Sequence, residues 1–143
     1  MEKEFVSYEM ALALKELGFD EPCFTYYLFN TNILENELSI HLHYGWTCQE
    51  TKKLKSTLAP TFHQAFRFFR EKFNWQASIE ATKDQHSHEL GYNYFIWNSE
   101  TGLEYHTMPM NRPSGDWEFK TYEEAEIACL LKLIEIIKNE NNE

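Results

Sequence analysis

Pro60-Thr61-Phe62-His63-Gln64-Ala65-Phe66-Arg67-Phe68-Phe69-Arg70-Glu71-Lys72-Phe73 is followed, after one asparagine, by Trp75-Gln76-Ala77-Ser78-Ile79-Glu80-Ala81-Thr82, and the hydrophobic period changes across that asparagine. In the first stretch Phe62, Ala65, Phe66, Phe69 and Phe73 recur at helical spacing, and Pro60 suits a first helical turn. In the second stretch Trp75, Ala77, Ile79 and Ala81 alternate with polar residues, the period of a strand with one buried face. A helix passing directly into a strand is therefore expected here.

Reading outward toward the carboxyl end, Tyr92 to Asn98 is rich in aromatic residues and reads as a second strand, separated from the first by a polar loop at 83–91. Ser99-Glu100-Thr101-Gly102 is a turn into a shorter strand at Leu103 to Met108. Pro109, Pro113 and Gly115 mark an irregular loop. Thr121-Tyr122-Glu123-Glu124 is a capping box for a last helix, whose apolar arc is Tyr122, Ala125, Cys129, Leu130, Leu133, Ile136 and Ile137. Lys138 suits the carboxyl end of its dipole. The order from residue 60 onward is helix-strand-strand-strand-helix.

Toward the amino end, Ser7 caps a helix with Met10, Ala13, Leu14 and Leu17 on one stripe, and Gly18 ends it. Cys23 to Phe29 reads as a strand, Asn30-Thr31-Asn32 as a turn, and Leu38 to Tyr44 as a second strand with alternating apolar positions. Residues 45–58 show little periodicity and read as a connection. The fold class is α+β, with a mostly antiparallel sheet and N-terminal, central and C-terminal helices. One domain over 1–138 and a frayed tail at 139–143 are expected.

Composition restricts the function. The 143 residues are 43% apolar and 16% aromatic, enough for a core and far from the pattern of disorder. A net charge of −10 repels phosphate backbones and anionic lipid at long range. The start, Met1-Glu2-Lys3-Glu4, lacks the basic and apolar regions of a signal peptide, and Cys23, Cys48 and Cys129 form no close spacing; a cytoplasmic protein is expected, with no membrane partner.

Three stretches carry a resemblance: Leu17-Gly18-Phe19-Asp20-Glu21-Pro22-Cys23-Phe24, Gln64-Ala65-Phe66-Arg67-Phe68-Phe69-Arg70-Glu71-Lys72, and Tyr122 to Leu130 with Lys132 to Ile136. Together they resemble a family of short, uncharacterised proteins encoded by phages and prophages of gut bacteria. The resemblance implies a phage-derived intracellular protein and brings no assigned activity and no catalytic residues. The element order from residue 60 is also similar to that of the double-stranded-RNA-binding domain, which grips phosphates with basic residues at the start of its last helix. The corresponding residues here are Tyr122-Glu123-Glu124-Ala125-Glu126, with Lys120 nearby.

Three functional classes follow. The leading one is a non-enzymatic protein that binds another protein, its own copy or a host factor, through surplus aromatics and one apolar helix position: Trp46, Phe68, Trp97, Trp117 and Leu131. A thick aromatic core is the alternative account of the same residues. The second class uses Lys52, Lys53, Lys55, Arg67, Arg70 and Lys72; against Glu71 they give 51–73 a charge of +5 and leave −15 for the rest, a local site for nucleic acid. The solvated face of an amphipathic helix is the favoured reading of that cluster, half of which lies on a helix whose opposite side is core. The third class is a metal-dependent enzyme using His41 and His43, two apart on one strand face, with Cys48, His86, His88 or His106 as a further ligand. No Gly-rich phosphate loop, Gly-x-Ser-x-Gly elbow or His-Glu-x-x-His spacing is present, so no catalytic residue and no cofactor is assigned.

Overall fold

The structure is a computed structural model that describes residues 2–28, 37–39, 56–84, 87–107 and 117–141. It has the expected α+β class. The elements are α1 (Tyr8–Glu16), β1 (Tyr26–Leu28), β2 (Glu37–Ser39), β3 (Ser56–Leu58), α2 (Phe62–Phe73), β4 (Trp75–Lys83), β5 (Leu90–Asn98), β6 (Glu104–His106) and α3 (Tyr122–Glu140). Among the described residues all strand pairings are antiparallel, in two three-stranded sheets ordered β2-β1-β3 and β4-β5-β6. The chain forms two compact units, Met1–Ala65 and Phe66–Glu143.

In the first unit, the Ser7 hydroxyl accepts the Met10 N–H and starts α1, as its position in the sequence implies. Gly18 ends the helix at φ 87°, a left-handed conformation that a Cβ disfavours, and Phe19 behind it is buried. The N-terminal segment is tied to the end of β3 by Val6 N–H to Pro60 O at 3.0 Å, and the Tyr27 hydroxyl donates to Val6 O. β3 falls in the stretch read as a connection. Three residues are too few to display an alternation, and Ser56, Thr57 and Leu58 are all buried. Thr61 and Gln64 form a capping box at the start of α2, with Gln64 N–H to Thr61 Oγ1 at 3.2 Å and Thr61 N–H to Gln64 Oε1 at 3.1 Å. The same Gln64 donates Nε2 to Pro22 O at 3.0 Å.

In the second unit, the helix-to-strand junction lies where the period changes. Asn74 takes the left-handed conformation (φ 60°), tolerated in asparagine better than in most residues, and turns α2 into β4. Asn98, buried at the end of β5, donates Nδ2 to Phe73 O (3.2 Å), one of the carbonyls left open by the end of α2. Its Oδ1 accepts the Glu100 and Thr101 N–H groups at 2.9 Å, so one side chain holds both the helix end and the β5–β6 turn.

Helix α3 packs on β4 and β5. Ala125, Cys129, Leu130, Leu133, Ile134, Ile136 and Ile137 are buried along it, and the sheet supplies Trp75 and Ile96. Its capping box is formed as the sequence implies: Glu124 N–H reaches Thr121 Oγ1 at 3.2 Å and Thr121 N–H reaches Glu124 Oε2 at 3.3 Å. The helix continues to Glu140, two residues into the stretch expected to fray.

Burial, and secondarily the Glu126 charge, pushes the Cys129 thiol up to about 12. An unfolded chain ionises this thiol from about pH 8.5, whereas the folded chain holds it neutral. Its contribution to stability is therefore intact below the unfolded value and is lost as pH rises through the window up to about 12. Urea unfolding is expected to show wild-type stability falling by on the order of 1 kcal/mol per pH unit between about pH 9 and 11. Cys129→Ala, less stable at pH 8 because of the cavity, should fall less steeply. Equal slopes would contradict a buried neutral thiol.

Candidate functional site: the aromatic and acidic face of the second sheet

The β4–β5–β6 register sorts every side chain to one of two faces. Trp75 lies opposite Asn98, Ala77 opposite Ile96, Ile79 opposite Tyr94 and Ala81 opposite Tyr92, with Tyr105 opposite Ile96 on the far side. This face receives α3: Tyr92 meets Tyr122 edge-on at 6.0 Å, and Lys132 Nζ lies 5.4 Å from the Tyr105 ring. Burial and the nearby Cys129, Glu135 and Glu118 raise the Tyr94 hydroxyl above its ordinary value.

The other face carries Gln76, Ser78, Glu80 and Thr82 from β4, Gly91, Asn93, Phe95 and Trp97 from β5, and Glu104 and His106 from β6. Phe95 and Trp97, two apart on one strand, stack at 5.2 Å with 21° between planes, and His106 lies 5.9 Å from Phe95. The two rings are half-buried, while Glu80, Glu104 and His106 are exposed. Glu80, Asn93, Tyr94, Phe95 and His106 line an open depression of about 340 Å³. Neither Glu80 nor Glu104 forms an ion pair among the described residues.

Asn93 fixes one end of it. Its Nδ2 donates to Thr82 Oγ1 (3.3 Å), and its Oδ1 accepts from Thr107 Oγ1 (3.2 Å) and Glu118 N–H (3.1 Å). Three separate segments thus meet on one buried amide, whose nitrogen and oxygen both have protein partners. Beside it, Trp117 lies directly on Gly91: a Cβ there would fall 2.0 Å from two ring carbons, so only glycine allows this approach. The strand edge beyond β6 is closed by Tyr92 and Phe119, which exchange N–H to O bonds of 2.8 and 3.1 Å.

Trp97 and Trp117 therefore share a face, and Leu131, half exposed on α3, belongs to the opposite side of the sheet. Phe68, read from the sequence as an exposed interface residue, is corrected: it is 5% exposed, packed edge-on against Phe69 and Phe73 at 5.5 Å. The apolar arc of α2 is wider than the single stripe its period suggests. Trp46, His41, His43, Lys52, Lys53 and Lys55 lie outside the described residues. Of the other basic residues, Arg67 is half-buried, Arg70 is exposed, and Lys72 reaches over the Phe68 and Phe73 rings at 5.2 and 5.5 Å. No group of three or more metal-ligating side chains occurs among the described residues. No helix among them is long and apolar enough to cross a membrane.

Phe95, Glu80, Glu104 and His106 were not joined into a site by sequence reading. The signal was the alternation of β4, which already directs Glu80 away from Trp75 and Ile79; β5 has large side chains on both faces and cannot be sorted without its register. Compared with family models, curated proteins and solved structures, the chain matches none.

Gly91→Ala is expected to expel the Trp117 ring, lowering stability by about 1–3 kcal/mol in urea unfolding and shifting tryptophan emission to longer wavelength. Unchanged emission and stability would show that the ring does not rest on this glycine.

Proposed function

We propose that this protein is a non-enzymatic binding module, of phage origin as its resemblance suggests, that engages a basic, apolar-containing segment of another protein on the β4–β5–β6 face turned away from α3. The observation that supports this reading most is the Phe95–Trp97 stack, with the exposed carboxylates of Glu80 and Glu104 beside it. Aromatic side chains offer large contact area at small entropic cost and attract cations to their faces, and they are enriched at protein interfaces. Exposed carboxylates and a net charge of −10 complement lysine and arginine and speed encounter with them.

The same features weigh against phosphate ligands. A nucleic-acid strand stacking on Phe95 and Trp97 would bring its phosphates toward Glu80 and Glu104, where basic side chains would be needed.

Fluorescence anisotropy tests the reading with three labelled probes: a peptide of alternating Lys and Leu, its Glu–Leu counterpart, and a short RNA duplex. The Lys–Leu peptide is expected to bind, with affinity falling as salt rises. Trp97→Ala should weaken it by a factor on the order of 10, the loss expected for a central aromatic anchor. Simple attraction between a cationic peptide and an acidic protein would survive that substitution. Retention of full affinity by Trp97→Ala, or binding of the duplex in place of the peptide, would overturn the proposal.

A further inference from the structure

The second sheet has one long edge. β4 pairs with β5 over all nine residues, Trp75–Lys83, and among the described residues no strand lies on its other side. Backbone direction along this edge follows from β5. Asn98 donates its N–H to Leu103 O, Tyr92 exchanges both bonds with Phe119, and Tyr94 O accepts from Thr107 N–H, so these residues point their main-chain groups away from β4. Gly91, Asn93, Phe95 and Trp97 consequently face β4 and pair with Thr82, Glu80, Ser78 and Gln76. That leaves the N–H and C=O groups of Trp75, Ala77, Ile79, Ala81 and Lys83 directed outward. Among the described residues none of them has a hydrogen-bond partner on that side.

A nine-residue edge with no proline and no bulge is a template for another strand, and proteins ordinarily blunt such an edge. This one is self-complementary. In an antiparallel pairing about a two-fold axis at Ile79, the centre of β4, Ile79 meets Ile79 of the second copy and Ala77 meets Ala81. Trp75 is 1% exposed and closed off in the folded chain, so Ala77, Ile79 and Ala81 of each copy form the ladder. On the aromatic and acidic face, Ser78 lies opposite Glu80 and Gln76 opposite Thr82, so each carboxylate meets a hydroxyl. Sliding by one step in one direction puts Glu80 opposite Glu80, a like-charge pair that destabilises a sheet; sliding the other way sets Ala81 opposite the buried Trp75.

We propose that two copies of this chain associate through β4 in this register, extending β4-β5-β6 into a continuous six-stranded antiparallel sheet. A second copy is the fitting occupant because the strand complements itself on both faces and sets no like charges directly opposite each other. The assignment does not depend on the binding role of the aromatic face. It does place two copies of that face side by side on one sheet surface. Because each copy carries −10, the pairing strengthens with salt.

Size-exclusion chromatography with light scattering, from about 10 to about 300 µM protein and at about 0.05 and 0.5 M NaCl, is expected to show mass rising from 17.1 kDa toward twice that value, more readily at the higher salt. Ala81→Pro removes an outward N–H at an exposed position and should remain a folded monomer by circular dichroism. In wild-type protein, NMR amide exchange should slow at Ala77, Ile79 and Ala81 as concentration rises, a readout that decides the matter even where the proline variant fails to fold. A wild-type monomer under all conditions, a folded Ala81→Pro dimer, or exchange at these amides that ignores concentration would each overturn the proposal. Loss of Lys–Leu peptide binding with the dimer intact would count against the face and not against the edge.

Discussion

A three-stranded antiparallel sheet covered by one helix has two faces with different tasks, and the second unit is organised by that asymmetry. Trp75 and Ile96 are sealed beneath the apolar side of α3, where Leu130, Leu133 and Ile137 lose almost all contact with water. Burial of this kind, at roughly 25 cal/mol per Å² of apolar surface, is the main favourable contribution to the unit. Once α3 is fixed on one face, the period-two geometry of β4 and β5 commits Glu80, Phe95 and Trp97 to the other. The site is a consequence of where the core lies.

Polar side chains complete what burial begins. Asn98 ends α2 and shapes the turn after β5, while Asn93 gathers β4, the residue following β6 and the segment entering α3 on one amide. Asn98 sits at the end of β5 and Asn93 near its middle, and together they hold its flanking segments in place. The Phe95–Trp97 stack between them is thereby presented on a strand and not on a loop, which suits a surface that must keep its shape when it meets a partner.

Much of this was written in local sequence. The switch from helical to alternating period across Asn74 gave helix and strand together, Gly18 marked the end of α1, and Thr121-x-x-Glu124 announced α3. The capping box Thr61-x-x-Gln64 was equally legible in kind but was hidden behind Pro60, a competing helix-start signal. β3 was not legible, because three residues carry no period and its burial comes from pairing with a distant strand. Phe68 was misplaced because a run of adjacent phenylalanines buries more of the helix circumference than one stripe. The aromatic and acidic face needed the pairing register: in β5 large residues occupy both sides, so only its match to the plainly alternating β4 separates Tyr92, Tyr94 and Ile96 from Phe95 and Trp97.

The central claim is that the sheet face away from α3 is the surface on which this protein meets its partner. An NMR titration of isotopically labelled protein with the Lys–Leu peptide tests it residue by residue. The account predicts shifts at the Trp97 indole N–H, Phe95, Glu80, Glu104 and His106, with Leu133 and Ile137 on the buried side of α3 unmoved. Shifts concentrated on α3 or on residues 51–73, with Trp97 undisturbed, would contradict it.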